Sequence, residues 1–266
     1  MNYLITGHNG FIGKNLWNHV ESSSTSITGI DMKFLDDPMW SELLESYVIA
    51  ADIIFHIGAI SDVSLQDYNK MLKYNFEFSK VLFDCASKYN KRVIYSSSSS
   101  VYGNEGLPEN IYAWSKYLAE QYGIRTVKNF VALRYFNVYG PHENLKGCMQ
   151  SLVKHIYESD IFKIFPVKAK RDFIYVKDVV DANIHAISAR PGIYDVGTGN
   201  AYPYEDICDI LDKDYEYENI LNVPKGYQAY TCADKHKFMN TWRPQFTLEQ
   251  GVLEYKEYLD GSNDSN

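Results

Sequence analysis

Short β-branched or apolar runs alternate along the first half of the chain with longer segments of helical period. The runs "NYLIT" (2–6), "SITGID" (26–31), "DIIFHI" (52–57), "RVIYS" (92–96) and "FVALRYF" (130–136) predict strands. The patterns near 11–21, 38–50, 66–88 and 111–127 predict helices between them. Such alternation predicts an α/β fold, a doubly wound parallel sheet with helices on both faces. After about residue 140 the order changes. A helix pattern over 147–158, a strand "DFIYV" (172–176), a helix from Asp178 to Ala189 and "GIYDVG" (192–197) precede a Tyr-rich, less periodic end. The expected division is a nucleotide-binding part over 1–141, with segments near 172–197 returning to it. A smaller C-terminal α/β substrate-binding region covers 142–171 and 198–260, and 261–266 form a frayed tail.

Composition narrows the function classes. At 266 residues the chain is long enough for one substantial α/β domain or two small ones. A formal net charge of −8 argues against nucleic-acid or anionic-membrane partners, which need a basic face. Cys85, Cys148, Cys208 and Cys232 are scattered without a C-x-x-C pair, so neither a disulfide framework nor a metal site is expected. The first strand begins at once and no apolar run approaches spanning length, so a soluble, cytoplasmic protein is expected.

"LITGHNGFIGKNL" places Gly7, Gly10 and Gly13 between a strand and a helix. Glycines there permit a tight turn, close approach to a pyrophosphate and close helix packing, while the helix N-terminus supplies oriented N–H groups. The G-x-x-G-x-x-G spacing is a variant of the dinucleotide fingerprint, and it makes the expected fold Rossmann-like. Asp31 ends the second strand, where a carboxylate accepts from a ribose 2′-OH and repels a 2′-phosphate. That favours NAD; Lys33 beside it keeps NADP open. An aspartate that merely caps a turn is the plainer alternative.

Tyr112 and Lys116, in "NIYAWSKYLAE", are four apart and share one helix face. Roughly one or two Tyr-x-x-x-Lys pairs arise by chance in a chain of this composition, so position after the fourth strand carries the signal. A phenol with a pKa near 10 becomes a base when an ammonium and an oxidised nicotinamide favour the phenolate. A serine hydroxyl at the strand's end would bond the reacting oxygen. The run of five serines, Ser96 to Ser100, lies there.

Together "TGHNGFIG", "HIGAIS" (56–61), "SSSSSVYG", "YAWSK", "RYFNVYGP" (134–141) and "KRDFIYVKDVVDA" (170–182) resemble the extended short-chain dehydrogenase/reductase family over essentially the whole chain. The resemblance implies action on a nucleotide-diphosphate sugar, a homo-oligomer, and NAD or NADP held by residues of three stretches and by four single residues. These are Gly7, Gly10, Phe11, Ile12 and Gly13; Asp31, Met32 and Lys33; Ile57, Gly58, Ala59, Ile60 and Ser61; and Asn75, Tyr112, Lys116 and Val138. It also implies a Ser–Tyr–Lys triad with Ser98, five residues before Gly103, as the serine. Ser99 and Ser100 stand where family 4,6-dehydratases carry an Asp-Glu pair, which argues against a dehydratase. Ser100 also replaces the cysteine of GDP-fucose synthase-like members.

"RYFNVYGPHENLKGCMQSLVKH" (134–155) and "KGYQAYTCAD" (225–234) look most like the ADP-glycero-manno-heptose 6-epimerase branch. That branch implies Lys146 as a second acid/base, because a sugar oxidised to a ketone, reoriented and reduced from its other face needs proton handling in two orientations. Ser98, Asn137, Cys148, His155, Phe165, Arg171 and Tyr227 are the implied substrate contacts, Arg171 suiting a diphosphate. A loop lysine at Lys146, a surface histidine at His155 and a packing tyrosine at Tyr227 are the plainer alternatives. Only eight residues separate Gly103 from Tyr112, shorter than the family's loop over the substrate. The stretch from Asp31 to Asp52 is too short for a full third β-α unit, leaving Asp36 or Asp37 for the adenine. A nucleotide-hexose 4-epimerase or ketoreductase, and a non-catalytic NAD(P)-binding sensor or interaction protein, are the alternatives.

Overall fold

A computed structural model describes residues 1–22, 26–62, 65, 67–147, 151–164, 168–218 and 228–263. The chain forms β1 (Asn2–Thr6), α1 (Phe11–Glu21), β2 (Ser26–Ile30), α2 (Trp40–Ala50), β3 (Ile53–His56), α3 (Tyr68–Leu72), α4 (Phe78–Lys88), β4 (Arg92–Ser98), α5 (Ile111–Thr126) and β5 (Asn129–Tyr135). It continues through β6 (Asn137–Tyr139), α6 (Leu152–Glu158), β7 (Ile161–Ile164), β8 (Lys170–Arg171), β9 (Phe173–Tyr175), α7 (Val176–Ala186), β10 (Gly192–Val196), β11 (Tyr202–Pro203), α8 (Tyr204–Leu211), β12 (Asp214–Tyr217) and α9 (Leu248–Asn263).

Six strands form one parallel sheet in the order β10-β5-β4-β3-β1-β2. All of β3 and all of β4 after its first residue are buried, as expected for strands covered on both faces. On one face Leu16 and Val20 of α1 pack with Val179, Ala182 and Ala186 of α7. On the other, Leu44 and Val48 of α2 pack with Leu82 and Phe83 of α4 and Ala119 of α5. The strand order reverses between β1 and β3, which opens a crevice at the carboxyl ends of these strands. β2 is one edge of the sheet and β10 the other. A 3₁₀ turn over Met32–Asp36 and α2 lead straight into β3, so the third β-α unit is absent, as the short spacing predicts.

The C-terminal region has its own core, in which Val153, Ile156, Phe162, Ile207, Leu248 and Val252 surround β9. Its strands pair in three short two-stranded sheets, β6 with β9, β7 with β12 and β8 with β11. Asp172 joins this region to the main sheet. Its buried carboxylate accepts from Thr198 N–H at 2.8 Å and Oγ1 at 2.7 Å, from Gly199 N–H at 2.8 Å and from Ala233 N–H at 3.0 Å. Burial pushes its proton affinity up against those bonds.

The structure corrects three expectations. The helix predicted over 147–158 begins only at Leu152, where Ser151 caps Lys154 N–H. The supposedly irregular end contains α8 and the 16-residue α9. That last helix runs through Asn263, so Gly261 to Asn263 are helical and not a frayed tail. Its apolar stripe is broken by charges and Gly251, where the Tyr139 hydroxyl stands 2.2 Å from a Cβ built there. The continuous helix expected over 66–88 contains a π-type turn at Lys73–Glu77, a distortion often found where a side chain must be re-aimed.

Asp172→Asn turns a donor toward N–H groups that need an acceptor. Stability should fall by about 2–4 kcal/mol, read as a lower urea midpoint at unchanged m-value.

Candidate active site

A cleft of about 550 Å³ runs from the glycine turn along the ends of β3, β4 and β5 to the start of α8. Gly7 adopts φ +70° and donates its N–H to Ile30 O at 2.7 Å. A Cβ on Gly7 would lie 2.5 Å from Gly58 Cα, and one on Gly13 would lie 2.0 Å from Gly7 O. Side chains are therefore excluded at Gly7 and Gly13, and the first N–H groups of α1 open into the cleft over Phe11 and Ile12. Asp31 lies at the far rim. Asn9 donates its side-chain amide to the Asp31 carboxylate, and His8 Nδ1 stands 3.6 Å from it. A bare backbone cradle, a helix N-terminus and a rim carboxylate are the groups that suit the pyrophosphate and ribose of a dinucleotide.

Ile57, Gly58, Ala59 and Ser61 form the next wall. Asn75 stands behind it and does not line the cleft. Its Oδ1 accepts from Ile60 N–H at 2.8 Å and its Nδ2 donates to Ile60 O at 2.9 Å, so it holds the loop rather than the ligand. His56 joins the same framework. Ser79 Oγ donates to Asn75 O at 2.6 Å and must accept from His56 Nε2–H at 2.7 Å. His56 Nδ1 is then bare and accepts from Thr6 Oγ1 at 2.7 Å, while Gly58 N–H donates to Thr6 Oγ1 at 3.1 Å. Burial pushes the imidazole down to about 3, so this chain of bonds keeps one direction at neutral pH.

The serine run divides by hydrogen bonding. Ser96 Oγ donates to Ile57 O at 3.0 Å and accepts from Lys116 Nζ at 3.3 Å, and Ser97 Oγ donates to Glu120 at 2.7 Å. Ser98 ends β4 and, among the described residues, bonds to its near neighbour, accepting from Ser100 N–H with the two hydroxyls 3.2 Å apart. Its hydroxyl is thus the one at the strand end not tied to another element. Tyr112 and Lys116 reach the cleft from the first turns of α5, capped by Asn110, which accepts from Ala113 N–H at 2.8 Å. Lys116 is buried, with Nζ 4.7 Å from the centre of the Tyr95 ring. Burial pulls its proton affinity down to about 7, against the attraction of Glu120.

The other end of the cleft is built by Asn137 and Val138 of β6, Lys146, Arg171 and Phe173, with Tyr204 at the start of α8. Lys146 sits on a 3₁₀ turn between two left-handed residues, His142 and Gly147. Glu143 of that turn is buried and accepts from Ser151 N–H at 2.9 Å and Oγ at 2.6 Å, which ties the lysine turn to α6. Burial pushes the Glu143 carboxyl up. Asn137 directs its amide to Asp172 O at 3.0 Å and Thr231 Oγ1 at 3.2 Å, bridging the two regions.

Several expected contacts lie elsewhere. His155 is exposed, its ring against Phe162, because α6 buries Val153 and Ile156 and turns position 155 outward. Lys33 is exposed on its 3₁₀ turn, and Asp36 and Asp37 are exposed as well; Leu35, from the same turn, enters a small hollow beside Asp31 with Tyr74 and Phe78. Ile60 contributes backbone bonds to Asn75 and does not line the cleft. The Met32 side chain, Cys148, Phe165 and Tyr227 lie outside the described residues. Phe173, Tyr204, Leu145, Ser151 and Leu152 line the cleft without having been singled out. Phe173 is two residues beyond Arg171, a signal available in the sequence; Tyr204 had none, since α8 was not legible. Among the described residues no His/Cys/Asp/Glu group suits a metal ion, and no helix is long and apolar enough to cross a membrane.

Comparison with known proteins agrees with this arrangement. The profile of the NAD dependent epimerase/dehydratase family matches residues 3–197. The chain is 33% identical to an ADP-L-glycero-D-manno-heptose-6-epimerase of Brachyspira hyodysenteriae, over 97% of this chain and 98% of the relative. Its fold superposes on the crystal structure of the Helicobacter pylori ADP-L-glycero-D-manno-heptose-6-epimerase with a TM-score of 0.83 and 26% identity, covering 97% and 96% of the two chains. A UDP-N-acetylglucosamine 4-epimerase from Methanobrevibacter ruminantium, in complex with UDP-N-acetylmuramic acid, gives 0.84 and 26% over 98% of each chain.

Dinucleotide cofactor should raise the melting temperature of the wild type in a thermal-shift titration, and Gly13→Val, which places atoms inside the cradle, should abolish that rise. Lys116 binds fewer protons folded than unfolded between its lowered value of about 7 and the ordinary lysine value of about 10.4. Its contribution to stability therefore rises with pH across that window, by up to about 1.4 kcal/mol per unit. Lys116→Met should remove this slope in urea titrations of cofactor-free protein.

Proposed function

From the premise that the chain belongs to the NAD dependent epimerase/dehydratase family, we propose that it inverts one carbon of a nucleotide-diphosphate sugar, with an ADP-linked heptose epimerised at C6 as the leading substrate. The observation that carries this reading is the convergence in one cleft of Ser98, Tyr112 and Lys116 with Lys146 and Arg171. NAD is favoured over NADP. Asp31 at the rim disfavours a 2′-phosphate, and Lys33, the cation that would offset it, points to solvent.

The bound cofactor supplies a hydride acceptor and donor, so that the sugar carbon passes through a ketone and is reduced again from its other face. The remaining work falls to side chains. Tyr112, as phenolate, takes the hydroxyl proton while the carbonyl forms, and the Lys116 ammonium beside it favours that phenolate. Ser98 donates to the reacting oxygen. Once the sugar has turned, the oxygen faces a different wall, where Lys146 handles the proton. Arg171 grips the diphosphate with its planar donor fork and holds the nucleotide while the sugar reorients. Phe173 and Tyr204, whose rings are 6.3 Å apart, offer an apolar surface beside it.

Incubation with ADP-glycero-manno-heptose and a panel of UDP-, GDP- and dTDP-sugars, followed by NMR of C4, C5 and C6, tests the reading. Inversion at C6 without net NAD(P)H consumption is expected. Inversion at C4 replaces the substrate assignment with a 4-epimerase, stoichiometric NAD(P)H consumption replaces it with a ketoreductase, and cofactor binding without turnover of any sugar overturns it. Tyr112→Phe and Lys146→Ala should each lower turnover by about 10²-fold or more. Unchanged turnover in Lys146→Ala would assign the second proton transfer to another group.

A further inference from the structure

Beneath the reacting groups lies a buried ion pair that touches neither cofactor nor substrate space. Glu120 is fully buried on α5, one turn after Lys116 and on the same face. Its carboxylate accepts from Arg134 Nε at 2.9 Å and Nη2 at 2.6 Å, and from Ser97 Oγ at 2.7 Å. Arg134, from β5, stacks 4.5 Å from the centre of the Tyr102 ring. The Tyr102 hydroxyl donates to the buried Asp195 at 2.7 Å, and Asp195 accepts from Asp234 N–H at 3.0 Å. A pair so desolvated is weak evidence for stability, because apolar groups of like volume commonly serve as well. Its position invites another explanation.

Lys116 faces Tyr112 and Glu120 on its own helix, the Tyr95 ring and Ser96 hydroxyl on β4, and the neutral His56 on β3. Among these described groups Glu120 is the one carboxylate that attracts the ammonium. Because Arg134 and Ser97 take up the carboxylate's hydrogen bonds, Glu120 attracts Lys116 through space without drawing Nζ away from Ser96. We infer that Glu120, clamped by Arg134, is a positioning residue that keeps the Lys116 ammonium charged and in place, and thereby sets the pH at which Tyr112 becomes the phenolate. This rests on the role proposed above for Tyr112 and Lys116.

Removing the Glu120 charge leaves burial unopposed at Lys116, which then loses its proton at lower pH and no longer favours the neighbouring phenolate. The Tyr112 titration is read in NAD-loaded protein as the phenolate absorbance of wild type minus Tyr112→Phe, and of Glu120→Gln minus Glu120→Gln/Tyr112→Phe. The Tyr112 midpoint should rise by about one pH unit or more. Where Glu120→Gln fails to fold, the double variant Glu120→Gln/Arg134→Met, which leaves no buried charge unpaired, should show a rise of the same sign against its own Tyr112→Phe partner, smaller because the more distant Arg134 charge that repels Lys116 is removed as well. A lowered wild-type midpoint that neither variant moves, with only stability altered, overturns the inference. No substrate enters the measurement, so a wrong sugar assignment leaves its result intact, whereas an ordinary Tyr112 midpoint in wild type overturns both this inference and the base role of Tyr112.

Discussion

Two bare backbones meet at the centre of this molecule, and the site is arranged around their contact. Gly7 closes β1 and Gly58 follows β3, and a Cβ on the first would fall within 2.5 Å of the second. Gly58 donates its N–H to Thr6 O at 3.0 Å, which locks the ends of the two strands where the sheet order reverses. The crevice at the strand ends is shaped by this absence of side chains. Gly13 extends the same constraint into α1, which can descend onto the turn only because nothing projects from it.

Around that contact the polar side chains are sorted by whether the protein uses them itself. Asn75, His56, Ser79 and Thr6 form a directed chain of bonds that ends on Gly58 and Ile60, so the loop beside the cleft is rigid before any ligand arrives. Ser96 and Ser97 are bonded to neighbouring elements, whereas Ser98 bonds within its own turn. Buried polar groups are costly unless bonded, so a hydroxyl whose bonds stay within its own turn is the one most easily turned to a ligand. The same economy applies to charge. Lys116 is a buried cation beside an aromatic face, and Glu120 opposes its desolvation while bonded elsewhere.

The C-terminal region completes the cleft from the opposite side and is tied in both by Ala233, Phe238, Met239 and Trp242, which pack into the main core, and by polar junctions. Asp172 collects the backbone near 198 and 233, and Asn137 reaches across to Asp172 and Thr231. Arg171, adjacent to Asp172, inherits its position from that junction. Lys146 inherits its position from Glu143, whose bonds to Ser151 connect the loop after β6 to α6. Neither residue stands on a long element of its own. Their placement depends on buried carboxylates that never face the cleft.

The amino-acid sequence by itself determined the parallel α/β sheet, the glycine turn, Asp31 at the second strand's end and the Tyr112–Lys116 spacing. All are local or periodic: a turn that excludes Cβ atoms, a repeat of apolar runs, two residues one helical turn apart. Tertiary structure alone decided that Asn75 holds Ile60 rather than facing the cleft, because a π-type turn aims it there. It turned His155 outward once Val153 and Ile156 were buried, brought Tyr204 to the cleft from a helix whose short pattern was not legible, and paired Glu120 with Arg134 on neighbouring elements. Each of these outcomes depends on which elements pack together in space, which the local pattern of residues does not state.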